Sequence, residues 1–290
     1  MRKEPPVPDS DPAALDRLGH VRGFVLDLDG TLVMGDRDNR GLRPLPGALD
    51  LVHLLLERGL PFCVFTNGTV KTPRQCADAL RDAGFPMAEE AVLTPAISAA
   101  QVFRQRGHRR VMVLGGKGIT EPLEAAGIDT LPPLRGTSVD AVFAGWYRHE
   151  LTFESLEAAC FAVFEGAAFY SASESLFFAT SEGPTLGTSR AISAVVRDVT
   201  RTEVTVVGKP ALPALRAAES LLGIPAAELA VVGDDPDLEV PMAHRGGAMA
   251  VAVHTGIGHA QSFTGLPDDA RPHLDVADVG VLARLLAGSG

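Results

Sequence analysis

The chain carries three cysteines, Cys63, Cys76 and Cys160, an odd number at wide spacings with no Cys-x-x-Cys pair. That excludes a disulfide framework and a structural zinc site, and it fits a reducing, cytoplasmic setting. Cys63 lies inside an apolar run and reads as a small buried hydrophobe. Basic blocks are also missing: 26 Lys and Arg stand against 36 Asp and Glu, a formal net charge of −10. A general nucleic-acid or anionic-membrane binder needs a positive face, so both classes are excluded. An anionic substrate is not, because one bound cation and one lysine can set the local potential. No apolar run is long enough to span a bilayer. The first residues are rich in proline and charge and lack the apolar centre of a signal peptide, so residues 1–17 are expected to be a mobile tail. There is no internal repeat.

What is present is enough hydrophobic sequence, 46% of 290 residues, for a substantial core and a second unit. Strands and helices alternate. Apolar runs at Gly23–Leu26 and Pro61–Phe65 flank a helix from Pro46 to Arg58, striped by Leu49, Val52, Leu55 and Leu56. Thr72-Pro73 starts another helix, with a threonine cap and proline in the first turn, and Gly84 ends it. This is the βαβ grammar of a doubly wound parallel sheet. Between Thr94 and Gly187 the alternation continues as an inserted second α/β domain. The expected division is 18–93 and 188–290 for the core, with 94–187 inserted. Helix Ser189–Thr200 and strand Val204–Val207 then lead back into the core, followed by strand Leu229–Val232, helix Pro236–Arg245, strand Gly247–Val253 and a last helix near Val276–Leu286.

Four short segments follow these strands: Asp27-Leu28-Asp29-Gly30-Thr31, Thr66-Asn67-Gly68-Thr69, Gly208-Lys209-Pro210 and Gly233-Asp234-Asp235. Loops at the carboxyl ends of parallel strands converge on one crevice. Asp27 and Asp29, two apart on an extended backbone, point to one side, where paired carboxylates need a cation or a shared proton. With Mg²⁺ bound, one carboxylate can attack phosphorus and the other can protonate the leaving oxygen. Gly30 lets the backbone turn tightly beside a phosphate. Thr66 and the loop N–H groups through Gly68 can hold phosphate oxygens, and Lys209 can neutralise charge on nucleophile and phosphoryl group. Asp234 and Asp235 offer hard oxygen ligands, while Asp237 and Glu239 also suit a helix N-terminus. Each segment alone is also an ordinary turn or a surface residue. Together they define one phosphoryl site.

These motifs resemble those of the haloacid dehalogenase superfamily of aspartate-nucleophile phosphatases. Asp27-Leu28-Asp29-Gly30-Thr31-Leu32 is similar to the first motif, Thr66-Asn67 to the second, Lys209 in Gly-Lys-Pro to the third, and Gly233-Asp234 to the fourth. The large insertion between the second and third resembles the para-nitrophenylphosphatase-like branch. The resemblance covers the chain from Val21 onward. It implies a Rossmann-like core with a cap, and a Mg²⁺-dependent phosphatase acting on a small phosphomonoester such as a sugar phosphate, a phosphoglycolate-like ester or a nucleotide. It also implies Asp27 as nucleophile and Asp29 as general acid and base. Mg²⁺ would sit on the Asp27 carboxylate, the Asp29 carbonyl and Asp234, with Thr66, Asn67 and Lys209 on the phosphoryl group. A cap of this kind can also support a homodimer.

The chain departs from that pattern in three places. Leu238-Glu239 stands where Thr-Asp is usual, and Asp235-Pro236 stiffens the same loop. Gly145-Trp146-Tyr147-Arg148-His149 replaces a Gly-x-Asp segment, and Ala172-Ser173-Glu174-Ser175 replaces Thr-Asn-Pro-Asp, both on the side of the cap that would face substrate. Phosphoryl transfer to an acceptor other than water shares the first half-reaction, and the altered fourth motif is the one support for a non-catalytic binding protein on this fold. Gly115-Gly116-Lys117-Gly118 lacks the spacing of a nucleotide-binding loop and is expected to open a cap helix. Trp146 to His149 read equally as a substrate wall or as ordinary cap surface. Phe161, Phe164 and Phe169 are expected in the cap core, and His254 and His259 are expected to be structural.

Overall fold

Two parallel sheets organise the chain in a computed structural model, which describes residues 12–36, 40–178, 183, 185–257, 262–263, 266–267 and 270–288. The elements run α1 (Pro12–Gly19), β1 (Gly23–Asp27), β2 (Val33–Met34), β3 (Arg43–Pro44), α2 (Ala48–Glu57), β4 (Phe62–Phe65), α3 (Pro73–Asp82), β5 (Val92–Leu93) and α4 (Pro95–Arg106). They continue through β6 (Arg110–Leu114), α5 (Lys117–Ala125), β7 (Asp129–Leu131), β8 (Ala141–Ala144), α6 (Phe153–Phe164), β9 (Ala168–Ser171), β10 (Phe177–Phe178), β11 (Thr185–Leu186), α7 (Thr188–Thr200) and β12 (Thr205–Val206). The last stretch holds α8 (Leu212–Leu222), β13 (Leu229–Gly233), α9 (Glu239–Gly246), β14 (Met249–Val253), β15 (Leu274–Val276) and α10 (Val279–Gly288).

The core sheet has the order β15-β14-β13-β1-β4-β5, with every paired strand parallel. Side chains of β1 alternate between its faces. Phe24 and Leu26 join the cluster under α1, α2, α3 and α10, and Val25 joins the cluster under α8 and α9. Both faces are therefore buried, which is why these strands read as unbroken apolar runs. The second sheet, β12-β9-β8-β6-β7, is also parallel and is sandwiched the same way. A Rossmann-like core with an inserted α/β cap is thus the architecture. Among the described residues no helix is long and apolar enough to cross a membrane.

The chain returns to the core later than residue 188. Strand β12 pairs with β9 of the cap, and Ile192 and Val196 of α7 pack in the cap cluster, so the crossing falls near Val207. The expected boundary at 187 is corrected accordingly: an apolar strand joins whichever sheet leaves an open edge beside it. The expected tail also ends early. Pro12–Gly19 is helical, and burial of Ala14 and Leu18 against the core holds it; residues 1–11 lie outside the described residues.

Helix α3 starts as its sequence predicts. Thr72 Oγ1 accepts the Gln75 N–H at 3.2 Å, and Gln75 Oε1 accepts the Thr72 N–H at 3.0 Å, a reciprocal cap. Lys117 opens α5, in line with the reading of the Gly115–Gly118 segment as a helix start. Phe169 is buried in the cap, whereas Phe164 is 58% exposed at the end of α6 and leaves the expected cap core. The three cysteines are free and buried, and burial pushes the Cys63 and Cys76 thiols up to about 12, so both are inert.

Candidate active site

Three of the four segments leave the carboxyl ends of β1, β4 and β13, adjacent strands of the core sheet. The fourth, with Lys209, enters from the cap strand β12 through a cis Lys209–Pro210 bond. One cavity between core and cap is lined by Asp27, Asp29, Thr66, Asn67, Gly68, Lys209, Asp234 and Glu239. The structure therefore brings together nearly every site residue expected from the sequence. Gly30 lies just behind this wall, against Asp234.

Lys209 is 1% exposed and contacts the Asp27 carboxylate directly. On its other side Glu239 Oε1 lies 2.6 Å from Nζ. Burial alone would lower the lysine pKa, but these two carboxylates outweigh it and hold the pKa above its ordinary value. Glu239 thus does more than sit at a helix N-terminus. Its second oxygen accepts the Asp235 N–H at 3.1 Å, so it braces the loop and the lysine together. Burial pushes the Glu239 carboxyl up to about 7 against the pull of Lys209.

Asp29 accepts from Thr66 Oγ1 at 3.4 Å, and Thr66 Oγ1 accepts the Gly68 N–H at 2.9 Å. Burial, then the Asp27 charge, raise the Asp29 pKa to about 7. The Asn67 side chain is taken up elsewhere than expected. Its Oδ1 accepts the Lys209 N–H at 2.9 Å; its Nδ2 donates to the Lys209 carbonyl at 2.9 Å and to Ser173 Oγ at 3.2 Å. With both amide protons engaged, this side chain fixes Lys209 and ties the core loop to the cap.

Asp234 is 2% exposed. Its Oδ2 accepts the Ile257 N–H at 2.6 Å, and Thr31 Oγ1 lies 3.4 Å from Oδ1. Burial, Asp27 and Glu239 raise its pKa well above the ordinary carboxylate range. A Cβ on Gly30, which has a φ of 94°, would come within 2.6 Å of Asp234 Oδ2, and one on Gly256 within 1.9 Å. Only glycine admits this approach, and Thr255 Oγ1 donating to the Gly30 carbonyl at 2.5 Å closes the loop over it. The loop Thr255–Ile257 was not found by reading the sequence, because a backbone N–H donor leaves no residue-type signal.

The donor set fits a hard divalent cation. Among the described residues, Asp27, Asp29, Asp234, Asp235 and Glu239 crowd this cavity against the fully buried ammonium of Lys209 and the half-buried Lys71, and burial together with the crowding of carboxylates raises the pKa values of Asp29, Asp234, Asp235 and Glu239. Among the described residues no three Asp, Glu, His or Cys side chains form a ready-made metal cluster. Two carboxylates, a backbone carbonyl and substrate oxygens are the kind of set Mg²⁺ takes.

The remaining candidates sort out simply. Trp146 lines the cavity, Tyr147 packs on the cap core, and Arg148 and His149 are exposed. His254 contacts Asp275 and stacks on Phe263 at 5.8 Å between centroids, a structural role; His259 lies outside the described residues. Glu174 is turned onto Arg190, Arg197 and Ser193, away from substrate.

Fold and site define a two-domain α/β protein whose carboxylate-lined pocket suits phosphoryl chemistry. The haloacid dehalogenase-like hydrolase model matches residues 24–129, and a HAD-hydrolase-like model matches residues 206–281. The acid sugar phosphatase of Staphylococcus aureus is 30% identical over 237 residues, 81% of this chain and 87% of the relative. The 5'-nucleotidase YutF of Bacillus subtilis is 29% identical over 244 residues, 84% of this chain and 91% of the relative. The crystal structure of a 4-nitrophenylphosphatase from Thermotoga maritima superposes with a TM-score of 0.81 at 25% identity, covering 92% of this chain and 98% of that one. The chain belongs to the haloacid dehalogenase-like hydrolases, in the para-nitrophenylphosphatase-like branch, and is a hydrolase of phosphoric monoesters.

Proposed function

We propose that the protein is a Mg²⁺-dependent phosphatase of small phosphorylated metabolites that works through an aspartyl phosphate on Asp27. The observation that carries this reading is the buried row formed by Asp27, Lys209 and Glu239, with Asp29 and Asp234 on either side. A carboxylate of Asp27 attacks phosphorus in line with the ester oxygen. The departing alkoxide takes the Asp29 proton. Asp29, now a carboxylate, removes a proton from water, which attacks the acyl phosphate. Inorganic phosphate leaves and Asp27 is regenerated. A carboxyl pKa near 7 suits Asp29 to both steps. Lys209 screens the repulsion between the Asp27 carboxylate and the phosphate dianion.

Mg²⁺ held by the Asp27 and Asp234 carboxylates and the Asp29 carbonyl would supply further charge neutralisation at phosphorus. Thr66 and the backbone of the Asn67–Gly68 turn support the phosphoryl oxygens, and Asn67 acts mainly by holding Lys209. Substrates of the kind named for the relatives, sugar phosphates and nucleotides, suit the cavity. Three buried free thiols suit a reducing, cytoplasmic setting.

The test is phosphate release from a broad phosphomonoester panel, with and without Mg²⁺, and with Asp27→Asn. Mg²⁺-dependent release that vanishes in the variant is expected. Release that survives the substitution, or a folded, Mg²⁺-binding protein that releases no phosphate from any member, would overturn the reading.

A further inference from the structure

Helix α7 meets the cavity end-on from the cap: Gly187, Thr188 and Ser189, its cap and first two residues, line the wall. Packing fixes this end. The Gly187 N–H donates to the Leu176 carbonyl at 2.9 Å, and a Cβ on Gly187 would come within 2.2 Å of the Ser175 carbonyl. Ser189 Oγ donates to the Ser173 carbonyl at 2.8 Å. The first bond of the helix runs from the Ala191 N–H to the Gly187 carbonyl at 3.0 Å. The N–H groups of Thr188, Ser189 and Arg190 therefore have no partner in the helix, and no side chain caps them. The first turn also holds no acidic residue to meet the positive end of the helix dipole.

Two side chains point to what completes this end. Thr188 is 9% exposed and lines the cavity, and its hydroxyl has no hydrogen-bond partner among the described residues. Lys71, half-buried after the Thr66–Thr69 turn, adds an ammonium to the same cavity. Burial lowers the Lys71 pKa while the Asp29 and Asp36 carboxylates oppose that, and an anion beside the ammonium would favour its charged form further. The acids nearby are engaged. Asp36 Oδ1 accepts the Arg40 N–H at 2.8 Å, and Glu174 is taken by Arg190, Arg197 and Ser193. Backbone N–H groups at a helix start, a hydroxyl and an ammonium together exceed the roughly four acceptor positions of a carboxylate. They suit the three terminal oxygens of a phosphoryl group.

We infer that the start of α7, with Thr188 and Lys71, is a second anion subsite, and that the substrate class is phosphomonoesters whose leaving group carries a second phosphoryl group. This deepens the phosphatase reading above and rests on it. The core hydrolyses one phosphoryl group while the cap holds the other.

The test compares kcat and KM for the terminal bisphosphates of propanediol, pentanediol and fructose, each beside its monophosphate, in wild type, Thr188→Glu and Thr188→Ser. Phosphate esters of the matching hydroxy acids form the carboxylate arm. Calorimetry of the same bisphosphates and monophosphates on Asp27→Asn with Mg²⁺ runs beside it. Glutamate is favoured at a helix start, so Thr188→Glu keeps α7 while placing a negative charge in the subsite. A hydrogen bond to a charged group corresponds to roughly 10- to 150-fold in affinity. At least one bisphosphate is expected to lead its monophosphate by about tenfold or more in kcat/KM. Thr188→Glu should cut that lead at least about fivefold, mainly through KM, and Thr188→Ser should keep it. If Thr188→Glu does not fold, Thr188→Val removes the hydroxyl alone and should cut the lead at least about twofold. No lead for any bisphosphate, or an equal loss on bisphosphate and monophosphate in the Thr188 variant, overturns the inference. A hydroxy-acid phosphate used as well as the best bisphosphate overturns the phosphoryl assignment. If nothing is turned over, binding decides. Selective binding of a bisphosphate upholds the subsite while the phosphatase reading falls, and unselective binding overturns both.

Discussion

Lys209→Met removes the one buried cation from a floor of carboxylates. Lys209 is enclosed between Asp27, in direct contact, and Glu239 at 2.6 Å, and the methionine keeps the length of the stem. Removing one partner of a buried ion pair typically costs about 3–5 kcal/mol, because the other charge is left without compensation. Here two carboxylates lose their partner, and the protein has a way to limit the loss by protonating them. Glu239 already has a pKa near 7 with the lysine beside it, and without the lysine its pKa rises further. A carboxyl held neutral in the native state and ionised in the unfolded state gains about 1.4 kcal/mol of folding stability for each pH unit of acidification below its native pKa.

The loss in Lys209→Met should therefore be about 3–5 kcal/mol at pH 8 and shrink by roughly 2 kcal/mol on going to pH 6. Urea unfolding in chelator, at both pH values, measures it without a metal to offset the charge. Glu239→Gln should destabilise the wild type and stabilise Lys209→Met, giving a coupling of about 1–3 kcal/mol in the double-mutant cycle. A loss below about 1 kcal/mol at both pH values, or a cycle that closes to zero, would refute the view that this lysine is held by charge.

Gly256→Ala would push a methyl into Asp234 Oδ2 and the Gly30 backbone, so titration calorimetry should show Mg²⁺ affinity reduced at least about tenfold, and overpacking should cost the metal-free protein about 1–3 kcal/mol in urea unfolding. Asp29 and Glu239 have native pKa values near 7 against unfolded values near 4, so the native state binds more protons across that interval. Metal-free stability should thus fall by about 0.8 kcal/mol per group between pH 6.5 and pH 8, and a rise over that window in chelator would contradict the charge crowding. His273 works in the opposite sense at lower pH. Burial, Arg17 and His244 lower its pKa to about 4, so stability contributed by its neutral form is lost as pH falls below about 6.5.

Much of this site is legible in the sequence. Asp27, Asp29, Thr66, Lys209 and Asp234 each follow an apolar run, and parallel strands buried on both faces must read as such runs. The same property hides which sheet a run joins. Nothing in Val204–Val207 says that it pairs with Ala168–Ser171 rather than with a core strand, since pairing is a contact between distant segments. Nor does sequence show that the Asn67 amide would be spent on Lys209, 142 residues away, or that the Ile257 N–H would take one Asp234 oxygen. Phe164 reads as core from residue type alone, yet it falls on the outer side of the last turn of α6.

Glu239 is the instructive case, because the sequence marks it as a departure without saying what accommodates it. Glutamate in place of aspartate adds one methylene to a fully buried stem. The space for it lies over Gly233: a Cβ there would come within 2.1 Å of Glu239 Cγ and 2.4 Å of its Cδ. The two residues are therefore a matched pair, a missing side chain on β13 facing a longer one on α9. Gly233→Ala in the wild type should cost about 1–3 kcal/mol through overpacking and should pull Glu239 off Lys209. Glu239→Ala removes the Cγ and Cδ that fill this space, so Gly233→Ala on that background should cost less than about 0.5 kcal/mol. Urea unfolding of the four proteins measures the cycle. Equal costs of Gly233→Ala on both backgrounds would mean that the glycine serves the strand backbone instead, and that the longer acid is accommodated by movement of α9.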